Sequence, residues 1–80
     1  MRPTGQLGGI FEVTQGKLRI RFPFTEHATI ISGVVKITDE SGNTQWYFPG
    51  DSYFITQGSV VIWETVTSRV QKSFFNVTTP

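Results

Sequence analysis

The sequence predicts a small all-β fold, a sandwich or barrel of about eight short antiparallel strands with no substantial helix. Three observations predict it. Thr, Val, Ile, Phe, Tyr and Trp number 11, 8, 7, 7, 2 and 2 among 80 residues, while Leu occurs twice and Ala once. Such a chain favours extended backbone over helix. Turn residues recur about every ten positions, and apolar and polar side chains alternate between them, the two signals of half-buried strands. A chain of this length builds one core, so a single domain over residues 1–80 is expected.

Each element follows from its local chemistry. Residues 9–14 and 17–22 flank Gln15-Gly16, which reads as a two-residue hairpin turn. In that register Val13 faces Leu18, Glu12 faces Arg19 and Phe11 faces Ile20, so apolar meets apolar and acid meets base. After Pro23 come strands 26–31 and 34–38, separated by Ser32-Gly33. Asp39-Glu40-Ser41-Gly42-Asn43 is a loop, and residues 44–48 are its return strand. Phe48-Pro49-Gly50-Asp51 is a type II turn signature, with Pro presetting φ and Gly taking the left-handed position. Strands 53–56, 60–67 and 70–77 complete the set, and Thr78-Thr79-Pro80 reads as a frayed end.

Composition also excludes chemistries. With no cysteine there is no disulfide framework, thiolate zinc site or thiol nucleophile. A net charge of +1 argues against a dedicated nucleic-acid surface. No apolar run approaches the roughly 20 residues of a membrane span, and the N-terminus has no signal-peptide core, so a cytoplasmic location without membrane contact is expected. Small domains reach stability with disulfides, a metal or oligomerisation. Of these remedies a homodimer is expected, through exposed apolar residues near the N-terminus.

The motifs now resemble a known family. Glu26 and Gly33 in EHATIISG look like the second half of the first cupin motif. Phe48-Pro49-Gly50-Asp51 with Ile55-Thr56-Gln57-Gly58 looks like the second. The wider run, including Phe11-Glu12-Val13, Phe22-Pro23-Phe24-Thr25-Glu26, Trp63-Glu64 and Val70-Gln71-Lys72, is similar to the small cupins named after (S)-ureidoglycine aminohydrolase. The resemblance covers about residues 9–77 and implies a double-stranded β-helix, the jelly-roll barrel, with a pocket at its mouth. Many cupins hold Mn, Fe, Ni or Zn there with a His-x-His pair, the first-motif Glu and a second-motif His. Here the implied His positions fall on Ile20 and Phe22 (or Arg19 and Arg21) and on Val61; only Glu26 remains. The lone histidine, His27, alternates to the opposite face. One carboxylate does not make a tight transition-metal site, so no metal and no cofactor are expected. The aminohydrolase chemistry loses its metal with them.

Glu26, if inward among Ile20, Phe22, Ala28, Ile30, Val61 and Trp63, is either a ligand acceptor or general base, or a structural carboxylate hydrogen-bonded to backbone or a tyrosine. Trp63 is a stacking platform or plain core, and Tyr53 and Tyr47 offer hydroxyls at the mouth. Lys17, Arg19 and Arg21 form a basic stripe, either an anion grip or a solvated edge; Lys72 is a partner for Glu26 or another carboxylate. The candidate ligand contacts are therefore Glu26, Trp63, Tyr53, Tyr47, Arg21 and Lys72. Glu64 and Glu12 have the wrong parity to pair with Glu26 for glycoside cleavage. Three functions remain open. The first is a non-catalytic module binding a small polar organic molecule. The second is a metal-free isomerase or hydrolase with Glu26 as base. The third is a structural dimer with a filled barrel. The balance leans away from an enzyme. An open pocket lined by Glu26 and a tyrosine favours the first two, and a barrel packed shut by Phe22, Val61 and Trp63 favours the third.

Overall fold

The computed structural model describes residues 5–79; Met1–Thr4, where no signal segment is expected, and Pro80 lie outside it. Six strands run in chain order: β1 (Gly5–Arg21), β2 (Thr25–Ser32), β3 (Val35–Asp39), β4 (Thr44–Tyr47), β5 (Ser52–Ile55) and β6 (Val60–Thr78). No helix occurs among the described residues. Every pairing is antiparallel, in the order β4-β3-β6-β2-β5, with β1 also on β6.

Two long strands organise the rest. The first half of β6 pairs with β3 and with residues 16–21 of β1, and its second half pairs with β2 and with residues 5–14 of β1. Each long strand thus serves two layers, and counting each half separately gives the eight segments that the sequence predicts. The corner lies where Thr14 pairs with Arg69 but Gly16 with Thr65, leaving Gln15 alone opposite Val66, Thr67 and Ser68. Such a bulge bends the strand and frees backbone groups that need partners. Gln15 Nε2 donates to the Val66 carbonyl at 3.0 Å, Val34 N to Thr67 Oγ1 at 3.1 Å, and Thr67 Oγ1 to the Arg69 carbonyl at 2.8 Å. Gly33 is required here. Its φ is 85°, and a Cβ on it stands 2.3 Å from the Arg69 carbonyl oxygen.

The Gln15-Gly16 hairpin is therefore a misreading. Gly16 lacks the positive φ of such a turn, and Val13, Glu12 and Phe11 pair with Val70, Gln71 and Lys72 instead of with the following strand. Glu12 reaches Arg69 at 3.8 Å, while Arg19 lies across from Ile62. Alternation alone does not separate the two solutions, because a bent continuous strand keeps the same residues inward on both sides of the bulge. Pairing with β6 then satisfies the backbone along the whole of β1, which a short hairpin does not. The frayed end is also corrected at Thr79, whose N–H and carbonyl bond the Gln57 side-chain amide at 2.8 and 2.9 Å.

The remaining turns form as the sequence indicates. Gly50 has φ 92°, and Asp51 N donates to the Phe48 carbonyl at 2.8 Å. Asp39 Oδ1 accepts from Ser41 N, Ser41 Oγ and Asn43 N, closing the 39–43 loop. Between the two layers lie Phe22, Ala28, Ile30, Val35, Ile37, Tyr53, Ile55, Val61, Trp63 and Val70, all buried. The Tyr47 and Tyr53 rings, from the two terminal strands of the pairing order, meet at 5.6 Å, so the curled sheet nearly closes on itself.

Candidate functional site

The interior of the second layer carries a polar group that the core does not need for packing. On its inner face Phe11, Lys72 and Ile30 form one row and Ala28, Phe74 and Tyr53 the next. Asn76, Glu26 and Ile55 form the third. Alternation places all of them on one side. Ala28, fully buried and the smallest of these side chains, leaves room for the lysine stem and the tyrosine ring to meet over it.

Lys72 Nζ donates to Glu26 Oε2 and to the Tyr53 oxygen, each at 2.8 Å, and the Tyr53 hydroxyl donates to the same Glu26 oxygen. Glu26, Tyr53 and Lys72 are only 3%, 4% and 7% exposed, so the three form a buried, hydrogen-bonded triangle. The ammonium also lies 4.7 Å from the Trp63 ring centroid, and Trp63 Nε1 donates to buried Thr65 at 2.9 Å. Burial first, then the Glu26 charge and hydrogen bond, drive the Tyr53 phenol far above its ordinary pKa. It is a neutral donor throughout the physiological range.

Beside the triangle a cleft runs under β1. One lobe, about 260 Å³, is lined by Phe11, Leu18, Ile20, Phe22, Trp63 and their neighbours; the other, about 290 Å³, by Phe74 and Asn76. Phe11, Phe24, Glu26 and Lys72 line both lobes. Phe22, Val61 and Trp63 are packed into the core, yet this cleft stands open beside them. Both donors to Glu26 engage Oε2, leaving Oε1 without a protein partner among the described residues.

The six candidate contacts thus divide. Glu26, Tyr53, Lys72 and Trp63 are brought together; Tyr47 packs behind Tyr53 and is half-buried. Arg21 is exposed, opposite Val60, with the parity of Lys17 and Arg19 on the outer face. Glu64 and Glu12 also point outward, Glu64 to Lys36 at 3.5 Å. Asn76 was missed. Its parity with Lys72 and Phe74 on the same strand is the signal that finds it. Asn76 Oδ1 is buried and accepts no hydrogen bond among the described residues.

The residues do not fit the metal that cupins of this kind often carry. Ile20, Phe22 and Val61 supply no donors, no group of three His, Cys, Asp or Glu side chains suited to a metal exists among the described residues, and Lys72 occupies the cation position against Glu26.

The curled two-layer sheet and its enclosed carboxylate define a cupin. Residues 5–74 match the EutQ-like cupin domain, and the chain belongs to that family. Solved structures with the same fold include a DUF861 family protein from Thermotoga maritima, 22% identical over 84% of this chain and 75% of that one, with a TM-score of 0.76. A putative ethanolamine utilization protein Q from Salmonella typhimurium is 20% identical over 89% of this chain, with a TM-score of 0.76, and this chain spans only 56% of its length. A DUF861 protein of unknown function from Pseudomonas syringae is 27% identical, TM-score 0.80, over 91% of this chain and 31% of that one. No curated protein is significantly similar in sequence.

Proposed function

We propose that this cupin is a binding module for a small polar organic molecule, held in the cleft between Glu26, Lys72 and Trp63. The observation that carries the proposal is the buried Glu26–Tyr53–Lys72 triangle, with one carboxylate oxygen unbonded among the described residues, beside a cleft that Glu26 and Lys72 line. A core designed only for packing gains nothing from a buried ion pair, since apolar residues of equal volume stabilise as well or better. Pockets that bind small molecules combine apolar walls with a few fixed polar groups, as here. Within the family, the run of motifs supports a kinship with the small cupins of the (S)-ureidoglycine aminohydrolase type. A thermal-shift screen of sugars, amino acids, nucleotides and neutral amides tests the proposal. Ligands that raise Tm in the native chain and fail in the Glu26→Gln/Lys72→Met double variant, which leaves no unpaired buried charge, support it; hits indifferent to that change overturn it. Turnover of a bound compound instead supports the metal-free base.

The proposal extends to a homodimer. The outer face of the second layer exposes Ile10, Phe54 and Phe75, with His27 lying between Phe54 and Phe75 across the strands. The rest of its central rows are Ser52, Thr29 and Ser73, so a second copy meets no like-charge repulsion there. Light scattering at micromolar concentration should give twice the 9.0 kDa chain mass, and Phe75→Lys should give the monomer. A native chain that is monomeric refutes the dimer.

A further inference from the structure

We infer that the cleft selects a small neutral molecule whose head donates hydrogen bonds to Asn76 and Glu26 while its apolar body lies on Phe11, Phe24 and Trp63. The inference rests on the binding role proposed above and names the class of ligand.

Two independent observations converge on it. The first is the orphan acceptor. Asn76, 6% exposed, stands directly opposite Glu26 across β2 and β6 and lines the same lobe as Glu26 and Lys72; its Oδ1 is buried and has no hydrogen-bond partner among the described residues. A buried carbonyl with no donor is costly, and a ligand N–H or O–H relieves that cost. The second is charge. Glu26 and Lys72 neutralise each other at 2.8 Å, so the floor of the cleft has no net charge to offer. An anionic head meets Lys72 but also the Glu26 carboxylate, and leaves Asn76 Oδ1 without a donor. A cationic head supplies donors but faces the Lys72 ammonium. Either loses its hydration without net compensation.

A primary carboxamide matches the floor group by group. Its two N–H donors suit Asn76 Oδ1 and Glu26 Oε1, and its carbonyl suits the ammonium hydrogen of Lys72 left over from Glu26 and Tyr53. An alcohol satisfies part of the same set. The walls beyond are aromatic and aliphatic, so the body is apolar.

The test uses four probes of similar size on the intact chain: benzamide, N,N-dimethylbenzamide, benzoate and benzylammonium. Binding is read by NMR from the Trp63 indole and the Asn76 side-chain amide. Benzamide should bind about tenfold or more tighter than each of the others. Asn76→Leu should abolish that advantage, with Tm of the free protein unchanged or higher because the orphan carbonyl is gone. Asn76→Thr, which keeps an acceptor oxygen, should retain part of the advantage and serves if the leucine variant does not fold. Preference for benzoate or benzylammonium, or benzamide selectivity that survives Asn76→Leu, overturns the neutral-donor inference and leaves the binding site standing. If no probe moves the Trp63 indole at any concentration, the site and the inference fall together.

Discussion

Replacing Lys72 with methionine keeps most of the apolar stem and removes the charge, leaving the Glu26 carboxylate with the Tyr53 hydroxyl alone. The Lys72 and Glu26 side chains are 9% and 3% exposed, so solvent screens the pair little. Breaking such a buried pair from one side costs about 3–5 kcal/mol. The cation–π contact with Trp63 at 4.7 Å is lost in the same step. A domain of this size holds roughly 4–12 kcal/mol in total, and each kcal/mol is worth about 4–8 °C of Tm. Lys72→Met should therefore lower Tm by roughly 15–30 °C. Glu26→Gln combined with Lys72→Met leaves no uncompensated charge and should recover most of that loss. Urea unfolding followed by tryptophan fluorescence and far-UV circular dichroism measures all three proteins. The control is Lys36→Met, which breaks the 3.5 Å pair with Glu64, both side chains 32% exposed, and should cost no more than about 1 kcal/mol. A loss as small as that for Lys72→Met, or a double variant no more stable than the single one, refutes the buried triangle.

Other perturbations read other parts of the structure. Gly33→Ala forces a side chain into a left-handed conformation and against the Arg69 carbonyl, and should cost at least about 2 kcal/mol in the same urea assay. The phenols of Tyr53 and Tyr47 are both raised, Tyr53 by burial and then Glu26, Tyr47 by burial and then Asp51. A raised phenol favours folding fully below the unfolded value near 10, and that contribution is lost as pH climbs beyond it toward the folded value. Tyrosinate absorbance at 295 nm should lag in the native protein relative to the denatured chain above pH 10, and stability should fall over the same interval; coincident titrations contradict the burial of Tyr53. Chelator should leave Tm unchanged, because the cation beside Glu26 is covalently part of the chain; a large drop reveals a metal.

The fold was legible because its signals are local and redundant. Gly33, Gly50 and Gly58 take the positive φ that their turns require, and the order of the turns restricts the topology. The shared inward direction of Trp63 and Thr65 follows from alternation, and that of Glu26 from the motif it matches. What alternation does not encode is which strand lies beside which. Residues 9–14 and 17–22 present an equally good pattern to each other and to β6, and the choice is made by a distant strand long enough to pair with both. Arg21 was hard to place for a related reason. Its parity was plain, but the position of the cleft relative to β1 depends on the bend at Gln15. Asn76 carried no chemical signature of a site, and only the geometry shows that its oxygen lacks a partner.

Seen through the resemblance, Glu26 is the last of four metal ligands, a residue without a task. The structure supplies the task through Lys72. In a metal-bearing cupin the first-motif carboxylate faces an exchangeable dication with open positions for substrate. Here it faces one ammonium on a flexible stem, buttressed by Tyr53 and capped by Trp63. The exchange changes what the cleft can recognise. A dication attracts anions and polarises what binds it. A neutralised pair does neither and offers only directional donors and acceptors at fixed places. Under the proposed binding role, recognition rests on hydrogen-bond matching at Glu26 Oε1 and Asn76 Oδ1, where a missing donor is penalised far more than a missing methylene. In that proposed role, the lysine that neutralises Glu26 is also the residue that sets the charge a ligand must have.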